Sequence, residues 1–291
     1  MASNDLGYAT LSARDRDEGE RRVVRIGAER AYFRWCPDGK YMMGSSPKEK
    51  GRDNHGNIET QHPVILTKGF WIMETPVTVG MFEVFVNNYN DKHKYKSVGD
   101  TPFGLVKNKN RMYPNKKFSW DNPGYEYDND HPVTCISWKD AIAFCKWLSE
   151  KTNQKMRLPT EAEWEYACRA GETKVSTTLD ELLDELKKKA WIPDNSDNQA
   201  HPVAKDSHYN TWHICDMIGN VREWCQDGYG KYPNGSVTNP IIPPKGKLRI
   251  VRGGSWASAL ENCRPAARLS YCQSYRSSYQ GFRVVCECEQ Q

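Results

Sequence analysis

Residues 157–167 read RLPTEAEWEYA, and this stretch carries the start of a helix. Thr160 and Glu163 have the spacing of a capping box, in which each side chain accepts a hydrogen bond from the other residue's backbone N–H. Further along, Gly171 supplies a residue that tolerates the left-handed conformation found at helix ends. We therefore predict a short helix that begins after Thr160 and stops at Ala170.

Three further segments have helical patterns. Residues 137–140, SWKD, resemble a capping box and precede apolar residues at 3.6-residue spacing. Residues 178–189 begin with acidic residues and end with three lysines, the charge order that complements a helix dipole, and residues 77–88 form a weaker pattern. The remaining sequence consists of short apolar strands and turns without a strand–helix–strand alternation. This predicts an α+β domain with a loop-rich interior.

The composition of the 291-residue chain excludes several classes of protein. Lys and Arg total 41 against 37 for Asp and Glu, so we expect no nucleic acid among its partners. No apolar run reaches the ~18 residues of a membrane span, and the first residues lack a signal-peptide pattern, so we expect a soluble chain. Ten Trp and fifteen Tyr exclude a wholly disordered chain. Residues 1–28 are charge-rich with alternating signs, which predicts a solvated arm or linker before a single domain over residues 29–291.

The ten cysteines do not indicate a zinc site, because no pair has the Cys-x-x-Cys spacing. Several lie among apolar residues, as Cys145 and Cys168 do. A buried free thiol behaves as a small apolar group, so we expect these cysteines to pack in the core.

Six motifs in a fixed order resemble one family. They are residues 70–78 (FWIMETPVT), 131–133 (HPV), 157–167, 219–224 (GNVREW), 252–256 (RGGSW) and 281–285 (GFRVV). In this order they resemble the formylglycine-generating-enzyme, or sulfatase-modifying factor, domain, a variant of the C-type lectin fold. The resemblance covers about residues 33–286. It implies one domain with few regular elements, long ordered loops and an antiparallel sheet.

The same resemblance places the chemistry of the family's enzymes at two positions. Those enzymes bind copper and activate oxygen with two cysteines, five residues apart, after the Gly-Gly-Ser-aromatic motif. Counting from that motif, Ser258 stands at the first position and Cys263 at the second. A serine lacks the soft thiolate that selects Cu(I), so a copper-dependent cysteine oxidase is not favoured. Cys263 alone fits either a reactive thiol beside Arg264 or, as we favour, a packing cysteine.

A second enzyme branch of this fold holds a nonheme iron with histidines from an extra helical domain. None of the seven histidines forms a helical His-x-x-x-His pair. His62, His131 and His201 each precede a proline, which is typical of strand or turn residues. We therefore expect no iron site.

The segment from 257 to 280 is rich in serine and tyrosine. Tyr supplies rigid amphipathic contact area and Ser supplies adaptable hydrogen bonding, as in antibody binding sites. Tyr271, Tyr275 and Tyr279, spaced four apart, also fit one stripe of a helix packed on the core. Ser277 and Ser278 are poor helix formers, so we favour exposed surface loops.

The segment also resembles the variable region of proteins diversified by diversity-generating retroelements, among them surface lipoproteins of spirochaetes. The frame of that region corresponds to Arg252–Trp256, Glu261–Arg264, Arg268, Arg276 and Gly281–Arg283. The resemblance implies that asparagine codons between these frame residues are replaced at random by reverse transcription. Such replacement permits Ala, Ser, Leu, Tyr and Cys but not Lys, Glu, Gln, Met or Trp. The variable positions, all of which obey this restriction and are implied to bind a ligand, are Ala257, Ser258, Ala259, Leu260, Ala267, Leu269, Ser270, Tyr271, Cys272, Ser274, Tyr275, Ser277, Ser278 and Tyr279.

The function implied is ligand binding through a variable region, residues 252–285, on a rigid C-type lectin scaffold. The partner would be an unidentified protein or surface ligand, the chain is expected to be monomeric, and no cofactor is required. The resemblance implies display on a bacterial cell surface or outer membrane through an N-terminal lipid anchor. The alternatives are the copper-dependent cysteine oxidase and a non-catalytic scaffold domain of the same family.

Residues 216–223, DMIGNVRE, align with a calcium loop of the family. The resemblance implies that Asp216 and Glu223 supply side-chain oxygens and that Gly219 and Val221 supply carbonyl oxygens to a structural calcium ion. The same residues also fit a turn-capping Asp and a Glu paired with an arginine, which we favour slightly.

Overall fold

The helices begin where the sequence places its capping residues. The computed structural model describes residues 16–53, 58–89, 97, 99–106, 111–204 and 208–287. Within these residues, no helix combines the length and apolar character that a membrane crossing requires. The α-helices of the described residues are α1 (Val79–Tyr89), α2 (Trp138–Thr152), α3 (Glu161–Arg169) and α4 (Leu179–Lys189).

Capping boxes fix the first turns of α2, α3 and α4. Thr160 accepts a hydrogen bond from the backbone N–H of Glu163, and the Glu163 carboxylate accepts one from the backbone of Thr160. Ser137 and Asp140 cap α2 in the same way. The predicted stop of α3 is confirmed, since Ala170 and Gly171 both have left-handed backbone conformations.

The strands of the described residues form four sheets that are mostly antiparallel, which confirms the predicted α+β, loop-rich C-type lectin-like class. The largest sheet has the order β1-β2-β5-β14-β8, and a second has the order β12-β11-β9-β13. The smaller sheets are β10-β4-β3 and β6-β7. The strands are β1 (Arg21–Ile26), β2 (Glu29–Cys36), β3 (Gly39–Met43), β4 (His62–Leu66), β5 (Phe70–Met73), β6 (Phe103–Val106), β7 (Arg111–Pro114), β8 (Met156–Arg157), β9 (Arg222–Gly228), β10 (Val237–Thr238), β11 (Leu248–Arg252), β12 (Leu269–Cys272), β13 (Gln280–Gly281) and β14 (Val285–Glu287).

The predicted arm over residues 1–28 ends earlier than its charge pattern suggested. Residues 21–26 form β1, which pairs along its whole length with β2 from Arg21 opposite Arg34 to Ile26 opposite Glu29. Val24 and Ile26 point into the core, while Arg25 between them stays exposed. Residues 21–26 are therefore an edge strand with one buried face and not part of a solvated linker. Residues 1–15 lie outside the described part.

Two apolar clusters lie on opposite sides of the large sheet. Along β5, Trp71 and Met73 belong to the cluster that contains the aromatic residues of α1 and α2. Phe70 and Ile72 belong to the cluster that contains Trp164 of α3. Because successive side chains of a strand alternate between its two faces, one short strand joins both halves of the core.

Candidate functional site

The part of the variable region between β11 and β13 is anchored at both ends in one sheet. It leaves β11 at Arg252, forms a short 3-10 helix at Leu260–Asn262, returns as β12 and ends in β13. β12 pairs antiparallel with β11, and β13 pairs parallel with β9. The sheet therefore fixes where the segment begins and where it ends.

Two glycines permit the turn that follows β11. Gly253 and Gly254 have φ angles of 92° and 68°, which other residues rarely adopt. A Cβ at Gly253 would lie 2.6 Å from the carbonyl oxygen of Met217, and one at Gly254 would lie 2.6 Å from Cys263 Sγ. The Gly-Gly pair thus brings the loop against the body of the domain.

Four frame arginines form buried ion pairs with carboxylates. The side chains of these arginines are at most 3% exposed. Each partner is distant in sequence, so the pairs bind the variable region to several elements at once. The pairs are Arg252 with Glu165, Arg264 with Glu49 (2.7 Å) and Glu59 (3.0 Å), Arg268 with Glu161 (2.6 Å) and Arg283 with Glu223 (2.7 Å).

Glu161 is held in its charged form by two of the frame arginines. Burial opposes ionisation of Glu161, but Arg268 and Arg252 outweigh it and lower the pKa of this carboxyl. Removing a single partner from such a pair leaves a buried charge uncompensated. The frame is therefore sensitive to substitution.

Aromatic side chains form one continuous group beside the frame. The rings of Tyr271 and Tyr275 stack with centroids 4.5 Å apart, and Phe103 stacks on Tyr275 at 5.6 Å. The Tyr275 and Tyr279 hydroxyls are hydrogen-bonded at 2.5 Å. Burial and the Tyr279 hydroxyl raise the pKa of Tyr275, so it stays protonated. The group, which we call the tyrosine face, is Phe103, Tyr271, Tyr275 and Tyr279.

The structure does not place all variable positions at the surface as predicted. The reason is backbone pairing, since the Cys135 N–H donates to the Ser277 carbonyl and the Ser278 N–H donates to the Phe103 carbonyl, both at 2.8 Å. These bonds hold the end of the segment against Phe103 of β6 and against Cys135. The buried positions are Ser258, Ala267, Ser277, Ser278 and Tyr279, and the half-buried or exposed ones are Ala257, Ala259, Leu260, Leu269, Ser270, Tyr271, Cys272, Ser274 and Tyr275.

The three tyrosines do not lie on a helix. Tyr271 belongs to β12, and Tyr275 follows in a turn. Tyr279 is only 8% exposed and packs against Trp256 with centroids 6.0 Å apart. The prediction of an exposed Tyr279 is therefore wrong, whereas Tyr271 and Tyr275 keep partial exposure.

Ser258 and Cys263 lie in unlike surroundings. Ser258 is 1% exposed, and its Oγ accepts a hydrogen bond from Arg222 Nε at 3.1 Å and lies 2.9 Å from Ser255 Oγ. Cys263 is fully buried in a small apolar cluster with Leu182 and Leu186 of α4. This agrees with the packing role favoured from the sequence.

Cys263 also lines a cavity of about 340 Å³ between α4 and the loop around His208. Cys168 lines the same cavity. Burial raises the pKa of Cys263 to about 11 and that of Cys168 to about 12. Both side chains are thus thiols at neutral pH, and the thiolate that attacks or binds a metal is scarce.

The predicted calcium ligands are not assembled as a set. Arg283 Nε and Nη2 donate to the two carboxylate oxygens of Glu223 at 2.7 Å, and the Trp164 indole N–H donates to the same carboxylate. Asp216 Oδ2 accepts the backbone N–H of Ala204 at 2.8 Å. Glu223 is therefore not free to bind a cation, and the capping Asp with an arginine-paired Glu is what the structure contains.

The other two predicted calcium ligands, Gly219 and Val221, take part in a backbone hydrogen bond and in core packing. The Gly219 N–H donates to the Gly253 carbonyl, and Val221 is buried beside Trp256. Within the described part of the chain, no three His, Cys, Asp or Glu side chains are grouped as a metal site would require.

The sequence interpretation overlooked Arg222. It lies inside the motif at residues 219–224, and the sequence alone does not indicate what its side chain contacts. Its guanidinium lies over the rings of Tyr271 and Tyr279, with 5.3 and 5.1 Å to the centroids, and Nη1 donates to the Tyr271 hydroxyl. The available signal was a basic residue inside one of the six family motifs.

Comparison with known sequences identifies relatives of several kinds. The chain is 29% identical over 253 residues to the serine/threonine-protein kinase pkn1 of Chlamydia caviae, which covers 85% of this chain and 36% of the kinase. It is 26% identical to the formylglycine-generating enzyme of Mus musculus, covering 86% of this chain and 74% of the enzyme. It is also 28% identical to the inactive Cα-formylglycine-generating enzyme 2 of the same animal, covering 86% of this chain and 83% of that protein. The chain thus spans about a third of the kinase and most of the two animal proteins.

Two solved structures share the fold over nearly the whole chain. PvdO from Pseudomonas aeruginosa superposes with a TM-score of 0.72 at 26% identity, covering 94% of this chain and all of PvdO. Treponema denticola variable protein 1 superposes with a TM-score of 0.70 at 24% identity, covering 92% of this chain and 99% of that one. Residues 29–288 match the sulfatase-modifying factor enzyme 1-like domain, and the predicted resemblance is confirmed. This chain belongs to that family, whose members include formylglycine-generating enzymes and an inactive relative.

Proposed function

We propose that this protein binds a ligand through a retroelement-diversified C-terminal segment, and that the rest of the domain is a rigid scaffold for it. The likeness to Treponema denticola variable protein 1, a variable protein by its name, supports the proposal at the level of the fold. The ligand is a protein or another surface molecule. We further propose a monomer held at a bacterial surface by a lipid anchor.

The observation that carries the proposal is that residues 252–285 contain two kinds of position, buried frame residues and more exposed variable residues. The frame residues Arg252, Arg264, Arg268 and Arg283 are buried in ion pairs. Most variable positions between them keep side-chain exposure, among them Tyr271 and Tyr275 of the tyrosine face. Substitution at an exposed position costs little stability, whereas the frame holds the backbone in place. Such a segment can change its contact chemistry without losing its fold.

The buried variable positions narrow the binding surface. Ser258, Ala267, Ser277 and Ser278 are small residues packed in the interior. The surface available to a ligand is therefore Ala257, Ala259 and Leu260 on one loop, with β12 and the turn up to Tyr275 on the other.

The environments of Ser258 and Cys263 favour binding over cysteine oxidation. A hydroxyl occupies the first thiol position of the family's enzymes, and the second thiol is buried with its pKa raised to about 11. Soft Cu(I) prefers thiolate ligands. We expect no conversion of a cysteine-containing peptide to its aldehyde when the protein is supplied with copper and oxygen. Turnover at the rate of an active enzyme assayed in parallel would contradict the proposal.

The DNA beside the coding region tests diversification directly. We expect a near-identical repeat of the codons for residues 252–285 that differs only at adenines, next to a reverse transcriptase gene. Sequences from separate isolates should differ at the variable positions and agree at Arg252, Arg264, Arg268 and Arg283. Absence of the repeat, or variation spread evenly over the frame, would contradict the proposal.

A further inference from the structure

Arg222 is a buried cation without an acidic partner in the described part of the chain. The residue is 7% exposed. Its Nε donates to Ser258 Oγ at 3.1 Å, and its Nη1 donates to the Tyr271 hydroxyl. These neutral oxygens and the faces of Tyr271 and Tyr279 are its only partners there.

A guanidinium in this position has lost most of its water. Burying a charge is costly unless a counter-charge or a full set of hydrogen bonds replaces the solvent. The four frame arginines meet this requirement with carboxylates, as Arg283 does with Glu223. Arg222 has hydroxyls and rings instead, so no acid of the described residues neutralises its charge.

A second arginine on the same face of the sheet has no carboxylate partner in the described residues either. Arg249 is 5% exposed, stands opposite Tyr271 in the β11–β12 pairing and donates from Nη2 to Gln273 Oε1 at 2.8 Å. Its guanidinium lies 4.6 Å from the ring centroid of Trp138. The strand pairing thus places a second cation on the face of the sheet that carries Tyr271, and two cations on one face favour an anionic ligand.

Unused hydrogen-bonding capacity lies next to Arg222. Gln280 is the direct partner of Arg222 in the parallel β13–β9 pairing, so both side chains leave the sheet on the same face. Gln280 is fully buried, and neither its amide nitrogen nor its amide oxygen has a partner in the described residues. An amide N–H there can supplement the guanidinium as a donor.

We infer that Arg222 is the anchor for a carboxylate group of the ligand. The planar fork of a guanidinium matches a planar carboxylate, and charge-assisted bonds of this kind are among the strongest in proteins. The stacked rings of Tyr271 and Tyr275 would lie against a flat or apolar group next to that carboxylate. The inference rests on the proposed function, since it names the chemistry that the binding surface recognises.

Hippurate, an aromatic acid, and hippuramide, its uncharged amide, form a matched pair of probes for calorimetric titration. We expect hippurate to bind the wild-type protein about tenfold more tightly than hippuramide, the scale of a hydrogen bond to a charged group. Arg222→Gln should abolish this preference and Arg222→Lys should keep part of it. Arg25→Gln, which removes an exposed arginine on the other sheet, should change it less than about twofold.

A second arm replaces the small acids with a capped Gly-Phe-Glu-Phe-Gly peptide and its Gln counterpart, and thermal melts establish that each variant folds. A preference seen only with the peptide assigns the carboxylate to a polypeptide ligand. Equal binding of acid and amide in both arms, no binding of any probe, or an undiminished preference in Arg222→Gln would overturn the inference. The DNA repeat is scored independently, so its absence with the acid preference intact contradicts only diversification. Its presence without the preference contradicts only the carboxylate anchor.

Discussion

Arg283 and Arg222 show how one residue type serves two purposes beside the same strand, since Arg222 begins β9 and Arg283 bonds to Glu223 of β9. Arg283 is fully buried, and donates to both oxygens of Glu223 and to backbone carbonyls. Arg222 is nearly as buried but is surrounded by hydroxyls and aromatic rings. The first arginine has its charge neutralised inside the protein and holds elements together. The second keeps an unneutralised charge beside the variable positions.

The presence or absence of an acidic partner distinguishes the arginines of the frame from the arginine beside the binding surface. Buried ion pairs join residues far apart in sequence, as Arg264 does with Glu49 and Glu59. Such pairs add little net stability compared with apolar residues, but they penalise any arrangement that separates the partners. We propose that this is their role here, since they specify one backbone path for a segment whose other residues vary.

Methionine in place of each arginine gives the largest contrast. Arg283→Met leaves the Glu223 charge buried without a cation, so we expect the free energy of unfolding to fall by about 3–5 kcal/mol. Arg222→Met removes an uncompensated charge, so we expect a change within about 1 kcal/mol of zero. Urea denaturation of both variants measures the two values.

The comparison would break if Arg222→Met destabilised the domain as much as Arg283→Met. Arg222 would then be part of the frame. A double variant with Glu223→Gln and Arg283→Met provides a control, because it removes both charges and should recover part of the lost stability.

Alanine substitutions in the tyrosine face give a smaller contrast. Tyr279 is buried against Trp256, so Tyr279→Ala should lower the free energy of unfolding by about 2–4 kcal/mol. Tyr271 is half-buried, and Tyr271→Ala should cost less than about 1.5 kcal/mol while altering ligand binding. Thermal melts and binding assays of the two variants distinguish these outcomes. Equal losses of stability would mean that β12 is core and would remove Tyr271 from the binding surface.

The smallest effect concerns the reactivity of Cys272. Its Sγ lies 3.2 Å from Ser274 Oγ, and this hydrogen bond lowers the pKa of the thiol, whereas burial raises the pKa of Cys145 and Cys225. Because the thiolate is the reacting species, Cys272 should be alkylated first among the described cysteines at pH 7. Ser274→Ala should move its rate profile to higher pH and slow the reaction at pH 7 roughly severalfold. Peptide mapping across pH 6–9 measures this, and an unchanged profile would contradict it.

Local signals predicted much of the fold because they act over a few residues. The capping boxes at Thr160 and Ser137 are confirmed, since each needs only its own first turn. The strand character of residues 21–26 was hidden, because β2 supplies its partner and its exposed face carries the charges. Strand propensity and charge alternation do not reveal that residues 21–26 pair with β2.

The candidate site was less predictable because burial there depends on distant residues. Serine is a residue type common at protein surfaces, yet backbone hydrogen bonds to Cys135 and Phe103 hold Ser277 and Ser278 in the interior. The partners of the frame arginines lie more than a hundred residues away in several cases, as Arg268 does from Glu161. Arg222 was overlooked for the same reason, since its significance is the lack of an acid that only the fold can reveal.

β11 and β13, which flank the variable positions, are strands of one sheet, and this has an evolutionary consequence. The chain between β11 and β13 is a closed loop, and the entropy lost in closing it depends on its length more than on its side chains. A mutational process that substitutes residues and never inserts or deletes them leaves that term unchanged. Each new version of the segment would then have the same entropy cost of loop closure as its parent, and selection would act only on how well it binds the ligand.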